Sequence, residues 1–256
     1  MDYQKKILVC ADSLEGIFTA IYDGWTLGQQ GYEVVIVTKE PQNLEFFVSY
    51  QYVETDIVKS KKVLDTVRKK LGFQAYESLC FTAVSTHKDK GTAIYKVLQN
   101  AIQGKRFDPG VFEALADPSV NLILKLRIKV WHEIHRFYGF VRFYEMANGV
   151  LVSNISPDND ILVMLSDHFS NRFPNENWMI HDVRRKKALI HPAGQKCFVH
   201  WNIHMPEQYG TEPGKGTEYE ALWRIFCESI AIKERKNPKL QQQFLPLKFR
   251  ENMTEF

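Results

Sequence analysis

The first forty residues combine two short apolar runs with a helical period between them. Lys6–Ala11 and Tyr32–Lys39 have the length and apolar content of buried strands. Between them, apolar side chains recur at helical spacing at Leu14, Ile17, Phe18, Ile21 and Trp25. Asp12 or Ser13 is placed to cap this helix. The pattern predicts a β-α-β unit at the N-terminus.

Three helical patterns follow an extended or irregular stretch. Thr55–Gly72 is amphipathic, and its polar surface carries six lysines and arginines, which suits either a solvated face or a nucleic-acid surface. Further helices are predicted near Ala75–Ser85 and Lys90–Gln103. Gly104–Phe112 contains glycine and proline and predicts a boundary between lobes.

The second half begins with a long helix and continues with period-two segments. The helix ends near Tyr138, and Phe140–Glu145 and Val150–Ser156 then predict paired strands. A second helix is predicted to start at Asp158 or Asp160, followed by strands over residues 178–201 and a helix over 216–238. The sequence therefore predicts a mixed α+β fold. Residues 1–108 form an N-terminal β-α-β and helical lobe, and residues 109–256 form a helix-flanked antiparallel sheet.

Composition limits the classes of partner and cofactor. The net charge is only +3 over 256 residues, so an anionic partner would have to contact local patches. The four cysteines lie far apart and form no CxxC pair or CxxxCxxC triplet, so no local iron–sulfur or zinc motif is present. We expect no resident metal or cofactor. Without a run of 18 apolar residues or a signal-peptide pattern, the sequence predicts a cytoplasmic protein without membrane contact.

The segment "KVWHEIHRFYGFVRFYE" concentrates histidine, arginine and aromatic residues. Its H-E-I-H motif is one residue short of the zinc-protease pattern, so His132 and His135 do not predict a metal site. Arg136 and Arg142 flank an aromatic core, and strand alternation would place Arg142 between two rings on one face. Such an arginine either contacts phosphates or covers aromatic surface with its stem.

Two polar segments offer carboxylates and histidines. In "SPDND", Asp158 and Asp160 suit either a divalent cation or the N-cap of the next helix. "IHDVRRKKALIH" predicts a hairpin with Arg184 and Arg185 at its tip, where they contact phosphate or lie in solvent. His181 and Asp182 point to opposite faces of the strand, so they do not form a simple catalytic dyad.

Several segments in order resemble a known bacterial family. They are "DSLEGIFTAIYDGW", "HRFYGFVRFYE", "PDNDILVMLSDHFSNRFPNENWMIHDVRRKKAL" and "ESIAIKERKNPKLQQQFLPLKFRENMTEF". They resemble the probable DNA metabolism protein family, whose C-terminal part is domain of unknown function 4130. Members are similar to proteins encoded beside a putative DNA-modifying radical-SAM protein. Some relatives are fused to a uracil-DNA glycosylase-like domain, which this chain lacks.

The resemblance implies an accessory protein in DNA repair or modification, acting with a radical-SAM partner that would carry any iron–sulfur chemistry. Alternatives are a nucleic-acid-processing enzyme and an adaptor that binds protein alone. The nucleic-acid-binding candidates are Arg136, Arg142, Arg172, Arg184, Arg185 and Arg235. The catalytic candidates are Asp158, Asp160, His168, His181 and Asp182. Trp178 also belongs to the family motifs.

Overall fold

The structure, a computed structural model, has the predicted mixed α+β fold. It describes residues 5–40, 45–103, 106–146, 148–203 and 237–250, together with 222, 225, 226, 229 and 230. The chain divides into two compact units. The N-terminal unit comprises Met1–His132 with Asp158–Asp160, and the C-terminal unit comprises Glu133–Pro157 with Ile161–Phe256.

A parallel three-stranded sheet organises the N-terminal unit. Its strands are β1 (Lys5–Cys10), β2 (Glu33–Val37) and β3 (Val48–Val53), in the order β2-β1-β3. Helix α1 (Leu14–Gln29) joins β1 to β2, and the Ser13 hydroxyl caps it by accepting a hydrogen bond from the Gly16 N–H at 3.0 Å. The predicted β-α-β unit is confirmed, and β3 adds a third strand from the stretch predicted as extended or irregular.

Helices complete the N-terminal unit. These are α2 (Ile57–Lys70), α3 (Phe73–Val84), α4 (Lys90–Ala101) and the first part of α5 (Pro118–Phe140). Two-residue strands β4 (Ile102–Gln103) and β5 (Arg106–Phe107) and a 3-10 helix (Pro109–Glu113) lie between α4 and α5. Apolar faces of the helices and sheet form one core, whose fully buried members include Leu8, Phe18, Ile36, Leu79 and Leu98.

A five-stranded sheet forms the centre of the C-terminal unit. Its strands are β6 (Tyr144–Glu145), β7 (Leu151–Ile155), β8 (Trp178–Asp182), β9 (Lys187–His191) and β10 (Phe198–Trp201), in the order β10-β9-β8-β7-β6. The predicted β8–β9 hairpin is confirmed. The sheet predicted as antiparallel is mixed, because β7 and β8 pair in parallel while the other neighbouring strands are antiparallel. A crossover containing a 3-10 helix (Leu162–Leu165) and α6 (Ser166–Arg172) joins β7 to β8, as a parallel pair requires.

Two predicted boundaries in this half are also wrong. Helix α5 continues to Phe140, so the first strand of the pair is limited to β6 and Arg142 does not lie in a strand. Helix α6 begins at Ser166, after the 3-10 turn, so neither Asp158 nor Asp160 is its N-cap. Near the C-terminus, α7 (Pro238–Phe244) is followed by a 3-10 helix (Leu247–Phe249).

Candidate functional site

Helices α5 and α6 bring two histidines, a tyrosine and an arginine of the C-terminal unit together. The rings of Tyr138 and His168 stack with centroids 4.0 Å apart and 13° between their planes. His135, one turn before Tyr138 on α5, has its ring centroid 6.2 Å from that of Tyr138. Arg172 lies one turn beyond His168 on α6, with its guanidinium 5.6 Å from the Phe173 ring centroid. We call these four residues the histidine–arginine cluster: His135, Tyr138, His168 and Arg172.

The charges around His168 are mainly positive. Burial lowers the pKa of His168, and Arg172 and then His135 lower it further. The Nε2 atom of His168 is buried and has no hydrogen-bond partner among the described residues. The carboxylate of Asp167 lies close to the cluster. Burial raises the pKa of Tyr138, and Asp167 raises it further. A bound anion would therefore pair with Arg172 and favour the protonated form of His168.

The predicted arginines differ in their contacts. Arg136 is exposed on α5, and Arg172 is exposed in the cluster. The Arg142 guanidinium donates hydrogen bonds to the carbonyls of Gly139 at 2.7 Å and Val141 at 3.3 Å, so it satisfies backbone groups at the end of α5. Arg235 lies outside the described residues.

Asp182 organises the turn between β8 and β9. Its carboxylate is fully buried and accepts hydrogen bonds from the backbone N–H groups of Arg184 and Arg185, each at 3.1 Å. The Arg185 guanidinium donates to Asp182 Oδ2 at 3.0 Å and to the Pro157 carbonyl at 3.1 Å. Arg184, which is more exposed, also donates to the Pro157 carbonyl, at 3.3 Å. Asp182 and Arg185 thus have structural contacts that hold the turn.

His181 contacts a different set of groups on the other face of β8. The parallel register sets it opposite Asn154, and His181 Nδ1 lies 3.2 Å from Asn154 Oδ1. Because the amide oxygen only accepts, Nδ1 donates in this contact. Burial lowers the pKa of His181, whereas the Ile203 backbone and Asp182 raise it in part. Nε2 is buried and has no hydrogen-bond partner in the described part of the chain.

The acidic segment before α6 belongs to the N-terminal unit. Asn159, 1% exposed, accepts a hydrogen bond from the Thr86 N–H at 3.0 Å, and the Asp160 N–H donates to the Val84 carbonyl at 2.9 Å. These contacts attach the segment to the end of α3. Within the described ranges, His, Cys, Asp and Glu form no group of three or more that could hold a metal ion.

Some members of these sites were not selected from the sequence. Tyr138 and Asn154 were missed, and His135 was considered only as a metal ligand. Helical spacing signals that His135 and Tyr138 share a face of α5, but the approach of α6 and the β7–β8 register have no local signal. Trp178 is a core residue, 1% exposed, and its indole N–H donates to the Phe173 carbonyl at 3.3 Å.

In the described part of the chain, no helix has both the length and the apolar character needed to cross a membrane.

The search of curated proteins found no match. A solved structure titled as the DHH domain of a member of a family of ribosomal proteins aligns over 74% of this chain and 74% of its own, at 9% identity. Its TM-score is 0.29, so this likeness supports no conclusion about fold or function.

A family model described as a domain of unknown function, DUF4130, matches residues 88–255. This match spans 168 of the 256 residues, about two thirds of the chain, and includes both α5 and α6. The chain therefore belongs to the DUF4130 family.

Proposed function

We propose that this protein binds DNA in the cytoplasm and supports a repair or modification reaction carried out with a radical-SAM partner. The observation that supports DNA binding is the histidine–arginine cluster, where His168 is surrounded mainly by positive charge. The link to DNA metabolism and to the partner comes from the family resemblance of the sequence.

The cluster suits a phosphate group for three reasons. The exposed Arg172 guanidinium offers paired N–H donors, which match phosphate oxygens. An anion at Arg172 favours the protonated form of His168, which adds positive charge beside it. Tyr138, stacked on His168, fixes the plane of that ring. A bound phosphate would thus offset the positive charge of Arg172, which otherwise disfavours protonation of His168.

The partner would supply the redox chemistry. Burial raises the pKa of the Cys10 thiol to about 12 and that of the Cys80 thiol to about 11. Both thiols stay protonated at neutral pH, and the sequence holds no local iron–sulfur motif. This chain would therefore bind and position DNA while the partner reacts with it.

The test is fluorescence anisotropy of labelled single-stranded and duplex DNA with the whole protein over a series of salt concentrations. We expect binding whose logarithmic affinity falls linearly with the logarithm of salt concentration. Absence of binding at low salt would contradict the proposal and favour an adaptor that binds only the partner protein.

A second candidate function is nucleic-acid processing, and it is favoured by the unpartnered Nε2 of His181. The Asn154 contact orients the ring, and the lowered pKa keeps it neutral and able to accept a proton. This function predicts turnover of a uracil-containing or damaged oligonucleotide that His181→Gln abolishes while the variant remains folded. Equal product with and without the protein would exclude it for those substrates.

A further inference from the structure

Helix α2 of the N-terminal unit presents a lysine-rich face to solvent. At 3.6 residues per turn, the members of this face lie within an arc of about 100° around the helix axis. We call them the α2 lysine face: Lys59, Lys62, Thr66, Lys69 and Lys70. All of them are exposed except Lys59, which is partly buried. The buried residues of α2, Ser60 and Val67, lie outside this arc, on the side of the core.

The neighbours of the α2 lysine face neutralise one of its four charges. Lys59 Nζ lies 2.7 Å from Asp23 Oδ1 on α1. Lys62 Nζ lies 5.9 Å from the ring centroid of Tyr22, the residue before Asp23, a contact that leaves its charge in place. Within the described residues, Lys62, Lys69 and Lys70 form no ion pair with a carboxylate. Three positive charges of the face therefore remain available to a ligand.

Positive charge is concentrated on α2 beyond what the helix itself requires. The helix contains six lysines and arginines and one aspartate, a net charge of +5, whereas the whole chain carries +3. The helix dipole favours the cations of the last turn, Lys69 and Lys70. Lys62 lies in the second turn, where the dipole does not favour a cation. The face is therefore complementary in charge to a polyanion.

We propose that the α2 lysine face binds the phosphate backbone of duplex DNA without reading its bases. This inference rests on the proposed DNA-binding function and adds a contact surface on the N-terminal unit. Lys62 and Lys69 are seven residues apart, so they lie about 10 Å apart along the helix axis. Each strand of a duplex carries about three phosphates over that length.

The composition of α2 favours a duplex over a single strand. The helix contains no aromatic residue, so it offers no ring of its own on which an unpaired base could stack. A duplex also carries twice the charge of a single strand per unit length. A face that holds charges alone therefore gains most from duplex backbone.

A lipid surface fits this helix less well. A helix that lies on a membrane inserts an apolar face beside its basic residues. In α2, Val63 and Leu64 pack on the core, and Val67 is buried. The exposed apolar residues, Ile57 and Val58, are confined to the first turn. The lysines of the later turns thus have no apolar surface beside them to insert.

The test compares two double variants of the whole protein that remove equal charge from different sides of α2. Lys62→Gln with Lys69→Gln removes two cations of the face. Lys61→Gln with Arg68→Gln removes two exposed cations that are also seven residues apart but lie about 100° further round the helix. Fluorescence anisotropy measures the binding of two labelled duplexes of unrelated sequence, and of one single strand of equal length, over a series of salt concentrations.

Lys62→Gln with Lys69→Gln should weaken the binding of both duplexes by the same factor, about tenfold, and reduce the salt slope by about 1.8. Wild type should bind the duplexes more tightly than the single strand. Lys61→Gln with Arg68→Gln should stay within about twofold of wild type, because salt screens charges that do not contact the backbone.

Four results would overturn the inference while leaving DNA binding intact. They are equal losses in the two double variants, unequal losses for the two duplexes, a single strand bound as tightly as a duplex, and stronger binding to phosphatidylserine vesicles than to duplex. In each case a loss of affinity in Arg172→Gln would still support the proposed function. Failure of the wild-type protein to bind any DNA would overturn the proposed function and this inference with it.

Discussion

At the scale of one residue, burial and neighbouring positive groups disfavour the protonated form of His168. Its ring is stacked on Tyr138, and its pKa is lowered by burial first, then by Arg172 and His135. The folded state thus resists protonation of an imidazole that the unfolded chain protonates near its ordinary pKa of 6.5. Such placement is typical of a site whose proton or anion arrives with a ligand.

This arrangement predicts a pH-dependent stability. Because the pKa of His168 is lower in the folded state than its ordinary 6.5, the unfolded state takes up more protons at this residue as the pH falls. The free energy of unfolding therefore decreases as the pH falls through 6.5 towards the folded-state pKa. His168→Gln should reduce that decline, and His181, whose pKa is also lowered, should account for part of the remainder. Urea unfolding of wild type and His168→Gln at a series of pH values measures how the free energy of unfolding declines with falling pH. A decline of unchanged size in His168→Gln, with the exposed His200→Gln as control, would contradict the electrostatic account.

The side-chain direction of individual residues could be predicted better than their partners. Alternation along β8 correctly separates His181 from Asp182 onto opposite faces. The contact between His181 and Asn154 depends on the parallel register of β7 and β8, which neither strand specifies alone. The role of Arg142 was missed because the residue follows the end of α5 and does not belong to a strand.

At the scale of elements, the β8–β9 turn is held by one buried carboxylate. Asp182 accepts two backbone hydrogen bonds and pairs with Arg185, whose side chain is 24% exposed. Asp182→Asn removes the charge from this pair, and we expect the free energy of unfolding to fall by about 2 kcal/mol. Urea denaturation measures the change, with Glu145→Gln, an exposed carboxylate on β6, as the matched control. Equal stability of Asp182→Asn and wild type would exclude this role for the carboxylate.

Amphipathic helices were predictable because the residues that pack on the core recur at helical spacing in the sequence. The predicted Thr55–Gly72 helix is observed as Ile57–Lys70, with Asp56 as its N-cap. The start of α6 was not predictable in the same way. An acidic segment before an apolar run resembles an N-cap, but here Asn159 and Asp160 bond to the end of α3. Hydrogen bonds to residues so distant in the chain cannot be read from the sequence around Asp160.

For the whole molecule, the small net charge conceals an uneven distribution. The total of +3 equals the net charge of α5 alone, so the remaining segments are balanced on average. The composition directs attention to local patches. Only the fold shows which cations are exposed, as Arg172 is, and which have structural partners, as Arg185 has.

The central claim is that the histidine–arginine cluster contacts a DNA phosphate. The most direct measurement compares the DNA affinity of Arg172→Gln and Lys196→Gln over a salt series, because each removes one exposed cation of the C-terminal unit. The account predicts that Arg172→Gln weakens binding about tenfold and reduces the salt slope by roughly 0.7–0.9, whereas Lys196→Gln stays near wild type. Equal affinities and slopes for the two variants would contradict it.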